Sequence, residues 1–273
     1  MPDKVNESLD DFVNDSLEIV AKASEKGVEL RILGALSCYL HLKEVGADAV
    51  STYLGMDRLG KSAMFTDLDL IGYKKQRGAI IRVLEKELRL TPDLRFMAYY
   101  GHDRLLFYKD DKFSIDIFLD ELRYSHNVNF KGRLELDYPA ITVTDLLLEK
   151  LQIHQINRKD LVDLIAVFLY YPISTVEIGN SQKAVDAEYV STILSDDWGF
   201  WYDATSNLGK VLEMALALKG EGKLTDGQMA TVRSKVAALT EHIDKKAKTR
   251  SWTERAKVGT RKPWYKDVEE VVR

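Results

Sequence analysis

The chain holds one cysteine, Cys38, among 273 residues. No disulfide can form within it, and a reducing compartment, the cytoplasm, is the expected home. It lacks any run of about 18 apolar residues, so no membrane-spanning helix and no membrane partner are expected. Its opening, MPDKVNESLDDF, is acidic and has no apolar stretch, unlike a secretory leader. The histidines, His41, His102, His126, His154 and His242, show no metal-ligand spacing and read as surface or satisfied core residues. No internal repeat or low-complexity segment stands out.

What remains is an ordinary globular composition, 45% hydrophobic and 30% charged, long enough for one large domain or two modest ones. The net charge of −4 argues against a generic nucleic-acid coat. The charge is uneven, however. Residues 245–273 carry ten Lys or Arg against four acids, so this tail is strongly basic and the rest is acidic. Such a tail can track phosphates or pair with an acidic body.

Apolar spacing predicts a helix over 5–25, a strand over 28–33 that stops at Gly34, and a helix over 35–44. Residues 46–62 look irregular. DLDLIGY (67–73) alternates like a strand, and 77–88 reads as a helix. RFMAYY, RLLFYK and KFSIDIFL are rich in Tyr, Phe and Ile and read as three strands. RLELDYPAITV is extended around Pro139. Thr144 opens a helix through Leu151, and Asn157 caps another that Pro172 stops, with Asp160 placed like the acid of a capping box. Beyond Pro172 no strand is convincing, and 185–195, 207–219 and 226–247 read as helices separated by turns such as GEGK. The expected organisation is α+β: a mixed sheet with flanking helices over 1–140, then a helical domain over 141–273 ending in the basic tail.

The chemistry is signalled by carboxylates. Asp67 and Asp69 are two apart on a strand, so both side chains leave the same face. Asp116 sits between Ile115 and Ile117 in another apolar strand, where an acid needs a reason to be. If the strands are neighbours, three carboxylates converge, and they repel unless cations lie between them. Magnesium suits such a site because it takes oxygen ligands and leaves room for substrate phosphates.

The order Gly34-Ala35-Leu36-Ser37, then Thr66-Asp67-Leu68-Asp69-Leu70, then Ile115-Asp116-Ile117 resembles the DNA polymerase β-like nucleotidyltransferase superfamily. Leu147-Leu148-Glu149-Lys150-Leu151, followed by Arg158-Lys159-Asp160-Leu161-Val162-Asp163-Leu164, is similar to its AbiEii-like branch, which includes toxins of bacterial toxin–antitoxin pairs. The likeness spans roughly residues 28–170. It implies the nucleotidyltransferase fold and transfer of a nucleoside monophosphate from an NTP to an acceptor hydroxyl. Asp67, Asp69 and Asp116 would hold two magnesium ions and carry the catalysis. Gly34, Ala35, Ser37 and Thr66 would lie against the nucleotide, as would Lys150, Arg158, Lys159, Asp160 and Asp163. Residues 158–163 could equally form an internal salt-bridge lattice. The acceptor, whether an RNA 3′ end, a protein hydroxyl or a small molecule, is left open, and an antitoxin is an implied partner.

Two other readings compete. The fold could serve as a binding or regulatory module without turnover. Gly55-Met56-Asp57-Arg58-Leu59-Gly60-Lys61-Ser62 also fits the P-loop pattern literally. A P-loop follows a buried apolar strand and opens a helix, whereas AVSTYL is part polar and Asp67 follows Ser62 closely. Arg58 and Lys61 read better as cations near a nucleotide. DDWGFWYD (196–203) reads as aromatic packing between helices.

Overall fold

A computed structural model describes residues 9–58, 65–110, 112–175 and 183–267. The chain forms two compact units. The first takes residues 1–40, 59–122 and 129–142, and the second takes 41–58, 123–128 and 143–273. The fold is α+β. Among the described residues, no helix is long and apolar enough to cross a membrane.

Helix α1 (Leu9–Glu25) forms where Phe12, Val13, Ser16, Ile19, Val20 and Ala23 recur at helical spacing, and all six are buried. Strand β1 (Leu30–Ile32) is shorter than expected but wholly buried. Gly34, at φ 66, takes a left-handed conformation that suits glycine and turns the chain from strand into helix α2 (Gly34–Val45). A further helix, α3 (Ala47–Gly55), occupies the stretch expected to be irregular. Its Ala49 and Tyr53, one turn apart, are both buried.

Strand β2 (Asp67–Gly72) is followed by α4 (Arg77–Arg82), which continues as a π-helical turn over Val83–Glu87. Strand β3 is the pair Thr91–Pro92. The segment RFMAYY, expected as a strand, is instead helix α5 (Leu94–Tyr100). Asp93 decides this: its carboxylate accepts the Phe96 N–H at 2.8 Å, capping the helix against the β-preference of its aromatics. Strands β4 (Arg104–Lys109) and β5 (Phe113–Leu119) fall where expected.

The five-stranded sheet has the order β1-β2-β5-β4-β3. It is mixed: β2 and β5 run parallel, and the other neighbours are antiparallel. In the central pair Leu68, Leu70, Ile115 and Ile117 are all inaccessible to solvent, while Asp67, Asp69 and Asp116 interrupt the apolar run. Asp15 of α1 holds Lys109 at 2.6 Å and Lys112 at 3.0 Å, tying that helix to the β4–β5 turn. Two short strands, β6 (Glu121–Arg123) and β7 (Asn127–Asn129), pair separately.

The second unit is mainly helical. Every residue of α6 (Val143–Leu151) is buried, as is Asp160–Phe168 within α7 (Arg158–Tyr170). Helices buried on nearly every side belong at the centre of a domain, and the charged residues on these two must find partners there. Asn157 caps α7 by accepting from Lys159 N and Asp160 N. After Pro172 two minimal strands, β8 (Ile173–Ser174) and β9 (Val185–Asp186), do pair in parallel, against the expectation of none. Helices α8 (Ala187–Asp196), α9 (Trp198–Gly220), α10 (Asp226–Lys245) and α11 (Arg250–Val258) complete the unit. Helix α9 begins well before residue 207 because Asp197 caps it, accepting Phe200 N at 3.0 Å. The aromatic run is therefore its first two turns, and Trp198, Trp201 and Tyr202 pack on one another and on Trp252 and Trp264.

Candidate metal centre

In the parallel β2–β5 ladder Asp69 stands directly opposite Asp116, and Asp67 opposite Ser114. Same-face alternation then brings Asp67, Asp69 and Asp116 together. One carboxylate oxygen from each lies within 4.8 Å of the others. Asp67 and Asp69 are half-buried, and Asp116 is fully buried. Thr66 donates its hydroxyl to Asp67 Oδ1 at 2.8 Å. The donor set is all oxygen, partly open to solvent and threefold anionic, which fits a hard divalent cation such as magnesium.

The start of α2 lies at the same part of the sheet. Leu33 N–H donates to Asp69 O at 2.9 Å, so Gly34 and Ala35 follow directly from a residue bonded to the acidic strand. Ser37 is fully buried, and its Oγ has no hydrogen-bond partner among the described residues. A buried hydroxyl without a partner is costly and rare in native proteins.

Sequence reasoning missed Arg104. It lies on β4, diagonal to Asp116 across the ladder, and its Nε donates to Asp116 Oδ1 at 2.9 Å. Its guanidinium sits 4.8 Å from the Phe118 ring centroid and 5.4 Å from that of Phe96. The only sequence signal was an arginine opening an apolar strand. Its partnership depends on strand register, which one strand cannot reveal.

The remaining residues of the predicted nucleotide site lie in the second unit, where Lys150, Asp160 and Asp163 form a cluster of their own. Lys150 Nζ is 3.1 Å from Asp160 Oδ1, 3.2 Å from Asp163 Oδ2 and 3.5 Å from Glu149 Oε1. Asp163 also accepts from Arg58 Nε at 2.8 Å and from the Tyr53 hydroxyl at 2.6 Å. Burial works against the charge on Lys150, but Glu149, Asp163 and Asp160 outweigh it and raise its pKa well above the ordinary lysine value. Burial likewise opposes ionisation of Asp163, yet Lys150 and Arg58 hold its carboxyl below the ordinary range. Arg158 reaches the carbonyls of Met56 and Asp57 and the carboxylate of Glu221, while Lys159 is exposed. Of the 158–163 lattice considered from the sequence, Asp160 and Asp163 take part, while Arg158 and Lys159 do not; the cations are Lys150 and Arg58, and Tyr53 joins them.

The P-loop pattern meets a different backbone. Helix α3, not a strand, leads into Gly55, and Arg58 is committed to Asp163. Leu59, Gly60, Lys61 and Ser62 lie outside the described residues.

Two histidines share one carboxylate. His126 Nε2 lies 2.8 Å from Asp203 Oδ2 and His154 Nδ1 2.9 Å from Asp203 Oδ1, where Trp264 Nε1 also donates at 3.1 Å. Burial opposes the ionised form of Asp203, but the hydrogen bonds from His126, His154 and Trp264 keep its carboxyl below the ordinary range. An ionised carboxylate can only accept, so both imidazoles present N–H to it. Gly199 leaves room for the tail, since a Cβ there would lie 2.4 Å from Trp264 O.

Comparison with protein-family models, with curated proteins and with solved structures finds no match for this chain.

Proposed function

We propose that the chain is a magnesium-dependent nucleotidyltransferase that moves a nucleoside monophosphate from an NTP to an acceptor hydroxyl, releasing pyrophosphate. The observation that supports it is the convergence of Asp67, Asp69 and Asp116 on adjacent parallel strands, with one oxygen of each within 4.8 Å of the others. Bound there, one or two magnesium ions would neutralise the triphosphate and the leaving pyrophosphate and make the acceptor hydroxyl more acidic. Asp67 and Asp69, more open to solvent, would hold the triphosphate side of the centre. Asp116, oriented by Arg104, would face the acceptor hydroxyl and take or steer its proton. The N-terminal N–H groups of α2, reached through Gly34 and Ala35, favour anionic phosphate by their partial positive charge.

Titration calorimetry of ATP, GTP, CTP and UTP, with and without magnesium, tests this reading. Nucleotide binding that needs magnesium, is lost in Asp67→Ala/Asp69→Ala and survives in Lys61→Ala is the expected result. Binding that depends on Lys61 and ignores the carboxylates would overturn the proposal in favour of the P-loop. Absence of binding in every protein would leave the regulatory-module reading.

A further inference from the structure

Helices α9 and α10 border an open groove of about 700 Å³ in the second unit. Leu212 of α9 and Val236, Ala237 and Thr240 of α10 line it. Leu216, one turn on from Leu212 and so on the same face of α9, is 56% exposed. Apolar surface left in water is unfavourable, and an occupant of the groove would remove it.

The charges at the groove say which occupant. Arg233, Ala237, Thr240 and Asp244 share one face of α10, spaced by four, three and four residues. Read backwards the spacing is unchanged, while the charges at its two ends are opposite. Arg233 and Asp244 are exposed, and neither has an ion-pair partner among the described residues. They stand roughly 16 Å apart along the axis, too far to meet each other. The remaining charges of the groove, Glu241 and Lys245, satisfy each other at 2.5 Å within the helix.

A second α10 laid antiparallel, with a two-fold axis between Ala237 and Thr240, brings each Arg233 to the partner's Asp244. Each Ala237 then meets the partner's Thr240. The charged pairs fall at the two ends and the small residues at the middle, where close approach of the helices covers Leu212 and Leu216. A parallel copy would set like charges together. The pattern therefore selects a second copy of this chain, in one orientation.

We propose that this face of α10, with Leu212 and Leu216 of α9, is the two-fold interface of a homodimer. A two-fold contact is self-complementary, so every favourable pair occurs twice and every substitution acts twice. A face of this size is at the small end of specific interfaces, so the dimer forms reversibly, in the micromolar range. The inference stands apart from the nucleotidyltransferase reading and uses none of its residues.

Sedimentation equilibrium of the full chain over a wide range of concentration tests it. The wild type should pass from monomer to dimer, and high salt should weaken the association by screening the end pairs. Arg233→Glu and Asp244→Arg should each weaken the dimer about tenfold or more, because like charges then face each other at both ends. The combined variant Arg233→Glu/Asp244→Arg should restore it, since the swap leaves opposite charges facing. An equimolar mixture of the two single variants should associate although each alone does not, because opposite charges meet at both ends of the mixed pair. Both positions are exposed, so the fold should be retained, with circular dichroism as the check. A wild type that stays monomeric at every concentration would overturn the proposal and leave the groove to another protein. A dimer indifferent to both single reversals would overturn it too, as would one that neither the combined variant nor the mixture restores while the fold is intact.

Discussion

The two clusters of ionised residues solve opposite problems. In the second unit, Arg58 and Lys150 lie among Asp160, Asp163 and Glu149, all nearly sealed from solvent, and each charge has an opposite charge within about hydrogen-bonding reach. In the first unit, three carboxylates meet with Arg104 bonded to the deepest, and the outer two remain open to solvent. A cluster that supplies its own countercharge in the dark interior is a structural element, because removing any member strands a buried charge. A cluster that gathers carboxylate oxygens at a partly open place can take up a hard cation from outside. Charge balance and access, more than residue type, separate the two clusters.

The largest predicted effect would break the closed cluster. Lys150→Met should cost about 3–5 kcal/mol in denaturant unfolding, since Asp160, Asp163 and Glu149 lose their shared cation. A loss below about 1 kcal/mol would mean that the lattice carries little. The open cluster should behave the other way. Asp67→Asn/Asp69→Asn should leave stability within about 0.5 kcal/mol of the wild type, or raise it slightly, while abolishing the magnesium dependence of nucleotide binding. Marked destabilisation would identify these acids as structural.

The pH dependence sharpens the contrast. Asp163 and Asp203 are held below ordinary carboxyl values, so their contribution is present above about pH 4 and is lost as pH falls through their folded values. Lys150 is raised, so its contribution is present below about pH 10.4 and is lost as pH rises through its folded value. Circular dichroism across pH should therefore show unfolding at both extremes. Asp203→Asn should flatten the acid limb, and Lys150→Met the alkaline one. The smallest effect belongs to Arg104→Gln, which removes a cation from Asp116 and should tighten magnesium binding a few-fold at most, read by calorimetry.

Strands β2, β4 and β5 and helices α2, α6 and α7 could be read from the sequence because their apolar periodicity agrees with their final environment. So could the convergence of Asp67 with Asp69, which needs only the twofold repeat of a strand. Asp116 required one further condition, adjacency of two strands far apart in sequence. The failures have local causes. Helix α5 was misread because Phe96, Tyr99 and Tyr100 favour strands when considered one by one, whereas the Asp93 cap outweighs them. Helix α9 starts earlier than expected because Asp197 caps the aromatic run that reads, by composition, as packing between helices. Arg104, Tyr53 and Asp203 gave no warning, since each acquires its role from partners supplied by other elements.

The parallel register that sets Asp69 opposite Asp116 imposes a parity rule on evolution. Between Phe113 and Asp116 the chain can tolerate an insertion or deletion only in pairs, because a single-residue slip sends Asp116 to the opposite face of the sheet and carries Ile115 and Ile117 with it. Length changes across this strand are in effect counted modulo two for the face that Asp116 occupies, and a change of two restores that face while moving the carboxylate about 7 Å along the strand from Asp69.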